Sequence, residues 1–286
     1  MPPGRVNLLD LPFGGLSRLV GDWGQPRFRA AQIWQWIYSA LATDMEQMTN
    51  LPKDLRSRLK GEAHLGELAL VAATTADDGL TEKVLLRALD DQTFESVLMR
   101  YADRSTICVS SQIGCPLACA VCATGQQGFV RNLTTGEISA QVLHFARRLR
   151  VEGLRVSNVV FMGMGEPMLN FDAVWQAILN LNDRQGFALG VRRFTISTAG
   201  VVPGIERLAK EQSGVGLAIS LHAPDNDLRD RLVPLNRRYP LESLMAAGRL
   251  YIEHTGRRIS FEYALAKDVN DSEAHAERTA KLLRGM

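Results

Sequence analysis

Ser110-Ser-Gln-Ile-Gly-Cys115-Pro-Leu-Ala-Cys119-Ala-Val-Cys122-Ala-Thr-Gly125 is the stretch on which the fold turns, because of what stands on either side of it. Before it, residues 106–111 read as a β-strand. After it, residues 135–150 carry the apolar spacing of a helix, opened by Thr134-x-x-Glu137, the spacing of a capping box. The cysteines therefore occupy a strand-to-helix loop. The alternation continues downstream, with candidate strands at 156–163, 193–197, 215–221 and 260–266 and helical runs at 171–182, 202–212, 241–254 and 273–284. Strands alternating with helices imply parallel βα units, which the right-handed crossover rule curls into a doubly wound sheet or a barrel. In a barrel, the loops after the strands carry the chemistry, so the cysteines sit where function belongs.

Upstream the pattern differs. Residues 1–65 read as helical: Phe28, Ile33, Trp34, Ile37 and Tyr38 recur at three- and four-residue spacings after Pro26, and a second helix is expected from about Leu51-Pro52. Arg5, Arg18, Arg27, Arg29, Lys53, Arg56, Arg58 and Lys60 make this region basic, which suits either a solvated helical face or a surface for RNA. Residues 66–104 form a linking sheet, with β-rich runs at 68–74, 81–88 and 93–101 separated by Asp77-Asp78-Gly79 and Asp90-Asp91, turn chemistry for an antiparallel meander. Residues 105–286 are then the partial barrel. Its final helical run, ending at Gly285, has no strand after it, so the sequence reads as truncated at its C-terminus.

The 286 residues suggest one large domain with a smaller companion, and 46% hydrophobic with 22% charged residues is the composition of an ordinary globular protein. Disordered and fibrous classes are excluded. No apolar run approaches the roughly 20 residues of a membrane span, and Met1-Pro-Pro-Gly-Arg-Val-Asn7 lacks a secretory signal, so the expected compartment is the cytoplasm. A net charge of +2 neither demands nor excludes a nucleic-acid partner.

The four cysteines, Cys108, Cys115, Cys119 and Cys122, fall within 15 residues, whereas a disulfide framework would spread them. Clustering means metal or redox chemistry. Three thiolates at Cys115-x3-Cys119-x2-Cys122 leave one iron of a cubane open, and an open iron can chelate S-adenosylmethionine and deliver the electron that cleaves it to a carbon radical. A zinc site recruiting Cys108 and a set of buried structural cysteines are the competing readings, and the spacing favours the cluster.

The segment from Ser110 to Leu133 closely resembles the signature of bacterial radical S-adenosylmethionine methyltransferases that methylate adenine C2 in 23S ribosomal RNA and in transfer RNA. Similar segments follow in Phe161-Met-Gly-Met-Gly-Glu-Pro167, Ser197-Thr-Ala-Gly200, Ser220-Leu-His-Ala223, Pro234-Leu-Asn-Arg-Arg-Tyr-Pro240 and Phe261-Glu-Tyr263. Phe28-Arg-Ala-Ala-Gln-Ile-Trp34 and Met48-Thr-Asn-Leu51 look like the family's helical RNA-contacting domain.

The resemblance implies an α/β fold, an incomplete parallel radical-SAM barrel with a helical N-terminal domain and a small antiparallel sheet. It implies a [4Fe-4S] cluster on Cys115, Cys119 and Cys122, and S-adenosylmethionine held by Gly165, Glu166, Ser197, Ser220, Leu221 and His222. Glu95 becomes the acceptor of the adenine C2 proton, and Cys108 the thiol that closes the cycle by forming a disulfide. Ribosomal and transfer RNA, an electron donor such as flavodoxin, and a monomeric state without a membrane complete the expectation. The family's methyl-carrying cysteine lies after the last strand, beyond the residues here, so chain 1–286 is expected not to complete catalysis alone. Two further readings stay open, methylation at adenine C8 and a non-catalytic RNA-binding remnant.

Overall fold

The computed structural model describes residues 4–286; the first three residues, which the compartment reading and the 1–65 region both include, lie outside them. In chain order the elements are β1 (Val6–Asn7), α1 (Phe13–Asp22), α2 (Phe28–Tyr38), α3 (Lys53–Glu62), β2 (Ala63–His64), β3 (Ala69–Thr75), β4 (Thr81–Arg87), β5 (Thr93–Arg100) and β6 (Ser105–Cys108). Around the cysteines come β7 (Gln112–Gly114), α4 (Ala123–Gln126) and β8 (Phe129–Asn132), followed by α5 (Thr135–Val151), β9 (Asn158–Phe161), α6 (Phe171–Asn182) and β10 (Phe194–Thr198). The chain continues through α7 (Val202–Lys210), β11 (Gly216–Ser220), α8 (Asn226–Leu232), α9 (Leu241–Thr255), β12 (Ile259–Glu262) and α10 (Glu273–Leu282). The fold is mixed α/β, with parallel strand pairs and a small antiparallel sheet, as the alternation predicts.

Two compact units divide the chain. The first takes the residues through Ser110 together with Leu133–Val159 and Asp172–Gly190. Its helical part forms because α2 buries Ala30, Ile33, Trp34, Ile37 and Tyr38 along one stripe, against Leu16 and Val20 of α1. Polar ties hold the rest: Trp34 Nε1 donates to Asp183 Oδ1 at 3.2 Å, and Arg147 of α5 donates to the carbonyls of Leu41 and Ala42 at 2.9 and 3.1 Å. Strands β3, β4, β5 and β6 form an antiparallel meander. Sequence alternation presents residues 106–111 as the first strand of the βα series, and β6 serves both parts: it completes the meander through β5 and lies beside β9 on its other edge, where Ser157 N–H donates to the Ser105 carbonyl at 2.9 Å. The four-residue link from Tyr101 to Arg104, closed by Tyr101 N–H on the Arg104 carbonyl at 2.8 Å, is too short for anything but an antiparallel return. Thr134 and Glu137 close the capping box that the sequence predicts at α5.

The second unit takes Ser111–Asn132, Val160–Phe171 and Val191–Met286. Strands β10, β11 and β12 run parallel in register, with Ser197 opposite Ala218 and Ser220 opposite Glu262. The buried run Gly216-Leu-Ala-Ile219 fits a strand covered on both faces. Separate from these, β7 and β8 pair antiparallel.

Candidate functional site

The cysteine loop is closed at its base by the β7–β8 hairpin. Cys115 N–H donates to the Gly128 carbonyl at 2.8 Å, and Gly114, at φ +73°, brings its backbone so close to that carbonyl that any Cβ would collide with it. Cys115 is buried, Cys119 half-buried and Cys122 exposed. Burial pushes the Cys115 thiol up to about 11 and the Cys119 thiol up to about 12, so each takes on iron only with release of its proton. Among the described residues no group of three or more His, Cys, Asp or Glu could hold a single metal ion. A cubane gives each thiolate its own iron and so asks for a wider set than one ion does, which suits three thiols spread along a loop.

The ends of the parallel strands surround this loop in the second unit. Gln112, fully buried at the start of β7, donates from Nε2 to Asn132 Oδ1 and accepts the Glu166 N–H on Oε1, both at 2.8 Å. Gly165, at φ +98°, lies so near Gln112 that a Cβ would strike its side chain. Glu166 is buried, and its carboxylate receives Met168 N–H at 3.1 Å and Ala199 N–H at 2.8 Å, which fastens the turn after β9 to the end of β10. Burial pushes this carboxyl up to about 7, against the lowering effect of its hydrogen bonds from Ala199, Thr198 and Met168.

Ser197, next to last in β10, and Ser220, last in β11, have half-buried side chains. The carbonyls of Ser220 and Leu221 accept from Arg229 at 3.0 Å each. His222 stands at φ +58°, its carbonyl accepts Asn270 Nδ2 at 2.9 Å and its Nδ1 accepts Ala264 N–H at 3.0 Å. Burial and the Arg229 charge lower its pKa, so the ring is neutral, with the proton on Nε2. The backbone of this segment is thus already engaged, and what it offers a ligand are the Ser197 and Ser220 hydroxyls and the His222 Nε2–H. Arg229 and Asn270, which organise these strand ends with Asn236, escape the sequence reading, since each sits in a polar stretch that resembles ordinary surface; Asn236 lies within the 234–240 segment noted there without a role.

In the first unit, Cys108 lies opposite Val97 across β5 and β6, and Glu95 is two residues from Val97 on the same strand. Side chains of directly opposed residues share a face, as do residues two apart, so Glu95 and Cys108 are diagonal neighbours on one face, with Cβ atoms roughly 7–8 Å apart. Glu95 is not a solitary carboxylate: Lys83 Nζ pairs with its Oε1 at 2.8 Å. Elsewhere in this unit a cavity of about 450 Å³ is lined by amide side chains of Gln32, Gln35, Asn50 and Gln185 together with Trp36 and Ser39. The nearby basic residues are partly engaged, Arg56 with Glu46 at 3.2 Å, Arg58 with Glu62 at 2.9 Å, and Arg29 over the exposed Phe28 ring at 4.7 Å.

A model of the ribosomal RNA large subunit methyltransferase N-terminal domain matches residues 6–65, and that of the radical SAM superfamily matches residues 109–280. The probable dual-specificity RNA methyltransferase RlmN of Chloroflexus aurantiacus is 51% identical over 282 residues, covering 97% of this chain and 75% of its own length. The protein of the same description from Moorella thermoacetica is 46% identical, over 99% of this chain and 81% of that one. A radical SAM methyltransferase crystal structure from Sphaerobacter thermophilus superposes with a TM-score of 0.96 at 50% identity, over 98% of this chain and 82% of that one.

Proposed function

Because the chain belongs to the RlmN family of radical SAM RNA methyltransferases, we propose that its target atom is C2 of an adenine in 23S ribosomal RNA and transfer RNA. The observation that carries this reading is the Cys115, Cys119 and Cys122 loop, clasped by the β7–β8 hairpin and bordered by Glu166 and the β10 and β11 ends. The superfamily implies a [4Fe-4S] cluster and S-adenosylmethionine. When bound, the cluster supplies the electron that cleaves S-adenosylmethionine to a carbon radical.

The remaining roles belong to this chain's own side chains. Cys115, Cys119 and Cys122 hold the iron. Gly165, Glu166, Ser197, Ser220, Leu221 and His222 form the S-adenosylmethionine site, in which Gly165 lets backbone approach the ligand and the hydroxyls and the His222 Nε2–H supply donors. Glu95 takes the proton that leaves adenine C2 once carbon has added there. Its Oε1 lies 2.8 Å from Lys83 Nζ, which orients the carboxylate on this face of the sheet. Cys108, its diagonal neighbour, would attack the sulfur of a thioether that joins the RNA to a methyl-carrying cysteine other than the four in residues 1–286; the S–S bond forms as the C–S bond breaks, and the released carbon takes up a proton to become the methyl group of methyl-adenine. Two groups that act in succession on one RNA adduct belong on one face, where the strand register puts Glu95 and Cys108.

The helices through residue 65 would contact the RNA, and an adenine must leave its stack to be reached, so loops should bind better than plain duplex. We read the protein as a cytoplasmic monomer served by a flavodoxin-like donor; among the described residues no helix is long and apolar enough to cross a membrane. The test is anaerobic reconstitution with S-adenosylmethionine and reductant. 5′-Deoxyadenosine that is lost in Cys119→Ala supports the reading, as does methyl at adenine C2 of added RNA when a segment bearing the methyl-carrying cysteine is supplied; C2 methylation by residues 1–286 alone would overturn the role given to Cys108. Methyl at C8 would favour the C8 alternative. RNA binding without cleavage of S-adenosylmethionine would favour a non-catalytic remnant.

A further inference from the structure

Arg229 of α8 is completely buried, with a relative exposure of 0%. Its Nε donates to the Leu221 carbonyl at 3.0 Å, Nη1 to Asn236 Oδ1 at 3.0 Å, and Nη2 to the carbonyls of Ala199 at 2.6 Å and Ser220 at 3.0 Å. Every one of these acceptors is neutral. The carboxylate of Asp230 reaches the guanidinium only at second hand, by accepting Asn236 Nδ2 at 2.7 Å. A buried charge is costly unless an opposite charge faces it.

The same short helix grips the cysteine loop. The Leu232 carbonyl accepts Ala120 N–H at 2.9 Å, and Cys119 packs on the buried cluster of Ala223, Leu228, Leu232 and Val233. Arg229 and Cys119 therefore share one enclosure, joined at Ala199, whose carbonyl accepts Arg229 Nη2 at 2.6 Å and which packs on the same buried cluster as Cys119. An iron–sulfur cluster held by thiolates would bring negative charge to this enclosure.

We propose that Arg229 is a positioning residue for the cluster, fixing the Cys119 side of the loop and raising the cluster's reduction potential through its buried positive charge. An electron entering from a one-electron donor adds negative charge beside a fixed cation, so the reduced form is stabilised relative to the oxidised form, with no proton needed. The inference rests on the cluster assignment of the previous subsection.

Redox titration of the reconstituted full chain, followed by the electron paramagnetic resonance signal of the reduced cluster, tests it alongside iron and sulfide content. In Arg229→Gln the ratio of reduced to oxidised cluster at a fixed potential should fall about tenfold, about 59 mV for one electron. Arg229→Lys keeps the charge and should shift much less. Asp230→Asn leaves the guanidinium in place and removes a nearby negative charge, so it should move the potential the opposite way, and it serves even where Arg229→Gln fails to fold. Potentials equal to the parent in Asp230→Asn and in whichever Arg229 variants fold would overturn the electrostatic role. A parent chain that takes up no iron and sulfide would instead overturn the cluster assignment itself.

Discussion

The Glu166 N–H donates to Gln112 Oε1 at 2.8 Å, so the first strand of the cysteine hairpin is tied directly to the turn that follows β9. Because Gln112 also donates to Asn132 at the hairpin's other strand, one buried amide joins three segments. Gln112→Leu would leave the Glu166 N–H and the Asn132 carbonyl oxygen without this partner, at a cost of about 1–3 kcal/mol for each group that stays buried. A fall in the urea midpoint together with reduced iron uptake is expected. Normal iron uptake at full stability would show the tie to be dispensable.

Gly165→Ala and Gly114→Ala should each be damaging, since both positions combine a positive φ with a Cβ that meets neighbouring atoms. Strain of this kind costs about 1–3 kcal/mol per position. The control is Gly153→Ala, where φ is +72° but nothing lies within 4 Å, so only the backbone term is lost. Thermal denaturation should rank Gly153→Ala as the mildest of the three.

Anaerobic reconstitution should give about four irons and four sulfides per chain, abolished by Cys115→Ala, Cys119→Ala or Cys122→Ala and retained in Cys108→Ala. Chemical analysis of iron and sulfide decides this. Stoichiometric zinc without sulfide would return the loop to a structural metal site.

Replacing Arg27, Arg29, Arg56 and Arg58 with Ala should weaken binding of structured RNA and flatten its salt dependence, since fewer counterions are released. Arg56 and Arg58 already pair with Glu46 and Glu62, so the Arg27 and Arg29 changes should carry more of the effect. Affinities measured across a salt series give the slope. An unchanged slope would mark these residues as a solvated face.

Burial lowers the pKa of His64 and His144, with Arg147 adding to the shift at His144. In the unfolded chain both histidines bind protons near their ordinary value of about 6.5, while in the fold they stay neutral to lower pH. The unfolded state therefore holds more protons below that value, and stability is full above about pH 6.5 and is lost as the pH falls towards the folded values. Urea midpoints at about pH 7.5 and about pH 5.5 should show the loss, and His144→Gln should shrink it.

Much of this architecture is legible in the sequence because its signals are long. The 171–182 helix is found at the bounds read from periodicity, and the three meander strands lie within a residue or so of their predicted limits. The β7–β8 hairpin escaped because its strands, of three and four residues, are too short for a period to show, and Phe129-Val130 alternates with nothing. Helix α8 and Arg229 escaped for a different reason. Asp225-Asn-Asp-Leu-Arg-Asp-Arg-Leu232 looks like an exposed charged turn, and only the three-dimensional path reveals that Leu228, Arg229 and Leu232 face inward. The cysteine spacing identified the loop, while the carboxylate of Glu166, expected to help hold S-adenosylmethionine, meets two backbone N–H groups that no local pattern announces.

The clasp at the base of the cysteine loop bears on what gives that loop its shape. Its fastenings, Cys115 N–H to Gly128, Gln112 to Asn132 and Ala120 N–H to Leu232, are made by peptide and amide groups alone. Much of the entropic cost of closing residues 115–128 into a ring is therefore met by the polypeptide's own peptide and amide hydrogen bonds rather than by metal ligation, so the loop's shape is set by the same contacts that hold the surrounding strands.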